Sequence, residues 1–151
     1  MRLLIQECLQ GKVVVDTKTV GEIDRGEVLF VGFTQGDDEK IVDRMIEKLL
    51  HLRIFSDSEG KTNLSFKDID GKMLLVSQFT LYADVRKGNR PSFVKALPGK
   101  ESKPLFDLFV SKMEEKLPGK IEKGIFGADM KVTIVNDGPF TILLDSQELW
   151  G

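Results

Sequence analysis

Three short segments carry the groups able to do chemistry. Ser77-Gln78-Phe79-Thr80-Leu81-Tyr82-Ala83-Asp84 places hydroxyls, an amide and aromatic rings where an apolar run gives way to a loop. Small polar side chains and free backbone N–H groups at a strand end can hold an oxyanion, and Phe79 can stack on a base. The plainer alternative is a strand that ends in polar residues. Arg86-Lys87-Gly88-Asn89-Arg90-Pro91-Ser92-Phe93 gathers three cations with glycine, asparagine and an aromatic. Such a set grips phosphates at close range or forms a solvated charged loop. Asn136-Asp137-Gly138-Pro139-Phe140-Thr141 lies between two apolar runs, Lys131–Val135 and Ile142–Leu144. These residue types ordinarily mark an exposed turn. Here the flanking strands leave little room for a loose loop, and Pro139 removes a donor where a sheet would use one. A Gly138-Pro139 step so placed can present bare carbonyls to a ligand, and a backbone-lined pocket reads shape while ignoring a side chain. Gly127-Ala128-Asp129-Met130 adds small residues that permit close approach. Met130 there is either a flexible wall or core packing.

Other chemistries are disfavoured by residue count. A serine or cysteine nucleophile needs a histidine beside it. His51 stands alone, flanked by Leu50 and Leu52 at the end of a helical pattern, where a histidine favours the helix C-terminus. Cys8 alternates with strand residues and reads as a small packing group. One Cys and one His give no transition-metal site and no disulfide framework. Neither a Walker phosphate loop nor a dinucleotide fingerprint occurs. No metal and no cofactor are expected.

These segments need a frame. The 151 residues, 41% hydrophobic and 30% charged, suit one domain spanning 1–151 that buries roughly 68–70% of its unfolded surface. The early charge at Arg2 and the lack of a long apolar run argue against a signal peptide or a membrane helix, so a cytoplasmic location is expected. With a formal net charge of −2, contact with nucleic acid must use a local basic patch.

Strands are expected at Arg2–Cys8 and Lys12–Val15, joined by a turn at Gln10-Gly11, then at Thr19–Ile23 and Glu27–Phe33. The i, i+4 spacing of Ile41, Met45, Leu49 and of Val42, Ile46, Leu50 predicts a helix over 38–52. Arg53–Phe55 suits a short strand, Ser56–Asn63 a loop, and Lys72–Phe79 a strand buried on both faces. Ala83–Lys100 reads as a long irregular segment. A second helix follows, with Pro104 in its first turn, a stripe of Leu105, Phe109, Met113 and Leu117, and a stop at Pro118-Gly119. Ile121–Phe126, Met130–Asn136 and Phe140–Asp145 close the chain as strands. The fold class is α/β: a layered α/β/β domain with mixed or antiparallel sheets and two main helices on one face.

Taken together, Ser77-Gln78-Phe79-Thr80-Leu81, Arg90-Pro91-Ser92-Phe93 and Asn136–Thr141 resemble the D-aminoacyl-tRNA deacylases, and the resemblance runs from Gln6 to the closing strands. It implies a cytoplasmic homodimer that hydrolyses the ester of D-aminoacyl-tRNA, and of mischarged glycyl-tRNA, with help from the terminal ribose 2′-hydroxyl. It implies a cis Gly138-Pro139 peptide that enters the partner's active site. Ser77, Gln78 and Thr80 become the candidate catalytic residues, with Thr80 in a binding role because no base lies near it in sequence. Phe79, Phe126, Met130, Gly138 and Pro139 become substrate-binding residues, and Arg86, Lys87 and Arg90 tRNA contacts. Many relatives carry an arginine after the equivalent of Gln6 that braces the Gly-Pro loop; this chain has Glu7, so a substitute cation, Arg2 or a loop lysine, is expected. The alternative is a non-catalytic module that binds the tRNA 3′ end.

Overall fold

The computed structural model describes residues Met1–Gly151. One long strand organises it. β1 (Arg2–Val15) pairs with β3 (Gly26–Gly32) along its first half, with β2 (Lys18–Ile23) along its second, and with β8 (Lys131–Asp145) throughout, all antiparallel. β6 (Lys72–Ser77) lies parallel to β3, and β7 (Ile121–Lys123) parallel to β6, which makes a mixed six-stranded sheet. A separate hairpin, β4 (Arg53–Ser56) with β5 (Thr62–Ser65), stands beside it. Two main helices, α1 (Glu39–His51) and α2 (Gly99–Lys116), cover one face, and a short α3 (Ser146–Trp150) ends the chain.

The alternation of β3 and β6 explains the layers. Leu29, Val31, Met73 and Leu75 face the helices, together with Leu3 and Ile5 of β1. Val28, Leu74 and Val76 face the other way and pack with Cys8, Val13 and Ile23. The sheet curls over this second core. A Cβ on Gly21 would lie 2.7 Å from the carbonyl oxygen of Lys123, so only glycine lets β2 fold back so far. Both faces of β6 are buried, as its continuous apolar run predicts.

α1 starts where Asp38 accepts a hydrogen bond from the Ile41 N–H at 2.9 Å. Its inward face is Val42, Met45, Ile46, Leu49 and Leu50. Lys112 of α2 reaches Glu39 and Asp43 of α1, and Lys116 reaches Glu47, so the two helices are bridged at their exposed edge.

Several boundaries differ from the sequence reading. Gln10-Gly11 is strand, not turn: β1 continues through it, and a Cβ on Gly11 would lie 2.7 Å from Val28, so the glycine serves packing. The hairpin falls at Asp16-Thr17, both at positive φ (49° and 67°), between the paired Val15 and Lys18. Thr62 and Asn63, read as loop, begin β5. β6 stops at Ser77, and Phe79–Tyr82 form a 3₁₀ turn. α2 begins at Gly99, so Pro104 lies inside it and the buried face turns to Ser102, Phe106, Phe109, Val110 and Met113, with Leu105 at the edge. β7 ends at Lys123, three residues short of Phe126.

The closing segment shows the largest difference. β8 is one strand rather than two. Thr141 pairs with Gln6 and Asn136 with Cys8, so Asp137, Gly138, Pro139 and Phe140 stand opposite Glu7 alone. These four residues form a bulge within a continuous strand. The Gly138-Pro139 peptide is cis, and Gly138 has φ +122°.

Candidate active site

Parallel β3 and β6 end at the same edge of the sheet, and a cleft of about 620 Å³ opens beyond their carboxyl ends. Open sheets with parallel strands commonly place ligands there. Ser77, Gln78 and Phe79 leave β6 to form one wall. The start of α2, with Pro98, Gly99 and Ser102, forms another, and Phe126 to Met130 forms a third. Gly32 makes the corner possible, because a Cβ there would lie 2.9 Å from the Gln78 carbonyl oxygen.

Within the site, the Gln78 N–H donates to the Val31 carbonyl at 2.8 Å, the last ladder bond before the chain turns. The N–H groups of Phe79 and Thr80, which open the 3₁₀ turn, have no carbonyl partner inside it. The Gln78 side-chain amide donates to the Thr80 hydroxyl. Phe79, 55% exposed, meets Phe93 edge-on with centroids 5.1 Å apart, making an aromatic lip at the mouth. Phe126 packs on Phe106 of α2 at 5.8 Å, which fixes the opposite wall to the core. Met130 is set by Gly124: a Cβ there would come within 2.6 Å of the methionine sulfur.

The turn is anchored from below. Arg2 Nη1 donates to the Leu81 carbonyl at 2.6 Å, its Nε to Asp145 at 2.8 Å, and its guanidinium lies 4.5 Å over the Tyr82 ring. Arg2 is therefore engaged at the far end of β1 and does not replace a bracing cation at Glu7. The cation that acts on Glu7 is Arg25. Burial and the charge of Asp137 raise the Glu7 carboxyl above its usual range, and Arg25 opposes them.

The structure thus gathers Ser77, Gln78, Phe79, Phe126 and Met130 around one cleft. Thr80 is exposed beside it and faces Gln78. Gly138 and Pro139 lie on the β8 bulge and line no part of this chain's own cleft. Arg86, Lys87 and Arg90 are exposed on a loop closed by two backbone bonds between Asp84 and Ser92, of 2.8 and 2.9 Å. Arg86 forks onto Asp84 through bonds of 2.8 and 2.6 Å, and these bonds hold the Asp84 carboxyl well below the usual carboxylate range. Lys87 and Arg90 make no ion pair within the chain. His51, exposed at the end of α1, has its Nδ1 2.7 Å from the Glu47 carbonyl and is no part of the cleft.

Sequence reasoning missed Phe93, Pro98, Gly99 and Ser102 as lining residues. Ser102, only 7% exposed, is a serine on the buried face of a helix, and that polar residue in an apolar stripe was the available signal. Glu27 was missed for the same reason. It is 1% exposed, and neither carboxyl oxygen has a hydrogen-bond partner.

These features define a small α/β protein with a part-aromatic cleft, whose one charged lining residue is Asp129, and a cationic loop beside it. Residues 4–145 match the family model described as D-Tyr-tRNA(Tyr) deacylase. The chain is 50% identical to the D-aminoacyl-tRNA deacylase of Thermomicrobium roseum over 151 residues, covering 100% of this chain and 97% of that protein. It is 50% identical over 150 residues to that of Thermotoga petrophila, with 99% and 100% covered. Among solved structures, the c-Myc DNA unwinding element binding protein superposes with a TM-score of 0.89 at 36% identity, covering 96% of this chain and 98% of that one. A probable eukaryotic D-amino acid tRNA deacylase, at 21% identity and TM-score 0.81, shares the fold. The chain belongs to the D-Tyr-tRNA(Tyr) deacylase family.

Proposed function

We propose that this protein hydrolyses the ester joining a D-amino acid to the 3′ end of tRNA. The observation that carries the reading is the cleft itself. Its polar groups, Ser77, Gln78 and the N–H groups opening the 3₁₀ turn, can hold an ester carbonyl, and no histidine lies within it. An aminoacyl ester is already activated, so positioning, an oxyanion donor and water suffice. The ribose 2′-hydroxyl is the proposed helper, and Thr80 orients Gln78.

Phe79 stacks on the terminal adenine in this reading, and Lys87 and Arg90 hold acceptor-stem phosphates. Gly138 and Pro139, absent from their own chain's cleft, serve a second copy of the chain in a homodimer. Their carbonyls face the substrate's α-amino region, so an L side chain meets backbone while a D side chain points outward. Glycine has no side chain to exclude, so glycyl-tRNA is also a substrate.

The test is hydrolysis of D-tyrosyl-tRNA against L-tyrosyl-tRNA. Selective release of D-tyrosine is expected. Equal rates would overturn the chiral selection, and no hydrolysis with retained tRNA binding would leave a 3′-end binding module, the reading that the exposed Phe79–Phe93 pair favours.

A further inference from the structure

Glu27 lies on β3 between Glu7 of β1 and Met73 of β6, in register with both. Residues directly opposite on antiparallel strands share a face, so the two glutamates are cross-strand neighbours, an arrangement that is unfavourable when both are charged. Glu27 is fully enclosed and has no partner for either oxygen. A buried polar group without a partner is costly and calls for an explanation.

The explanation lies one strand away. Glu7 is the single β1 residue opposite the Asp137–Phe140 bulge. The charged or titratable groups around it are Glu27 on β3, Asp137 on β8, Cys8 on β1 and Arg25 in the β2–β3 turn. With every carboxyl ionised, three negative charges would face one arginine. We propose that Glu27 is a positioning residue: buried as the neutral acid, it adds no third negative charge beside Glu7 and Asp137 and so keeps repulsion among them from forcing the bulge off β1. Loss of that proton would free the bulge, and with it Gly138 and Pro139. This rests on the functional reading above only in giving the bulge a substrate. Burial first, and the Glu7 charge second, push the Glu27 carboxyl up to about 8, in keeping with a proton held at neutral pH.

The test compares the wild type with Glu27→Gln, which cannot ionise, and Glu27→Leu, which has neither proton nor charge. Amide resonances of Gly138 and Phe140 are followed by NMR from about pH 6 to about pH 9. D-tyrosyl-tRNA hydrolysis is measured over the same range, with the spontaneous rate subtracted. In the wild type both amides are expected to move with the Glu27 titration, and activity to fall about tenfold at the alkaline end. Glu27→Gln should flatten both curves. Amides that stay fixed while Glu27 titrates, or wild-type and Glu27→Gln profiles that superimpose, would overturn the proposal. If no variant hydrolyses the ester, the functional reading fails alone, because the amide titration still decides this one. Should Glu27→Leu misfold, the Gln variant carries the comparison.

Discussion

The side-chain amide of Gln78 donates to the hydroxyl of Thr80, and that contact ties the exposed threonine to the one amide at the cleft wall. No histidine lines the cleft, its one carboxylate, Asp129, is paired with Lys131, and the Thr80 hydroxyl meets only Gln78, so nothing is placed to take its proton. Thr80→Ala should therefore lower kcat by no more than about tenfold, the scale of one hydrogen bond of roughly 0.5–1.5 kcal/mol. Single-turnover hydrolysis measures it. Complete loss with RNA binding intact would make Thr80 the nucleophile.

Lys87 and Arg90 are unpaired, whereas Arg86 is forked onto Asp84. The double variant Lys87→Ala, Arg90→Ala should weaken tRNA binding and reduce the slope of log K against log salt by about 1–2. Arg86→Ala should have the smaller effect, because that charge is already partly neutralised. Titrations at several salt concentrations distinguish the two, and equal slopes in all variants would exclude the loop as a phosphate contact.

Arg2 joins Asp145, the Leu81 carbonyl and the Tyr82 ring. Removing it leaves Asp145, only 6% exposed, without its cation. Arg2→Ala is expected to cost about 2–4 kcal/mol in urea unfolding. Because the same arginine steadies the 3₁₀ turn, kcat should fall more than KM rises.

Stability should vary with pH through Glu27. Its carboxyl is raised from an ordinary 4.5 to about 8 by burial and by Glu7. Between those values the folded chain keeps a proton that the unfolded chain has released. The Glu27 contribution to stability is therefore full below about pH 4.5, declines as pH rises, and is lost above about 8. Its steepest slope is about 1.4 kcal/mol per pH unit. Glu27→Leu should remove that slope and be more stable than the wild type at alkaline pH, read from urea midpoints at two pH values.

The legible parts of the fold were those with strong local pattern. α1 has an uninterrupted i, i+4 stripe and an aspartate cap, and β6 an unbroken apolar run. The unreadable parts were decided by distant chain. Gly11 resembles a turn residue but makes room for Val28, while Thr17, a poor candidate for positive φ, makes the real turn. Asn136–Pro139 reads as a stop, and only pairing with β1 on either side keeps β8 continuous. In the site, Ser77, Gln78 and Phe79 stand together in sequence, but Pro98 and Ser102 reach them only through the placement of α2. Glu27 looks like a solvent-facing residue in an apolar run until its neighbours are known.

β1 has consequences for how the molecule assembles. Its first residues bond to the last strand, with Arg2 opposite Asp145. Closing so long a loop has an entropic cost that nothing local repays early, and such topologies fold slowly. During synthesis β1 can pair with β2 and β3 as soon as they emerge, yet its other edge stays open until β8 leaves the ribosome. For that interval the nascent chain displays a long, unprotected strand edge, the kind of surface to which chaperones and other strands adhere.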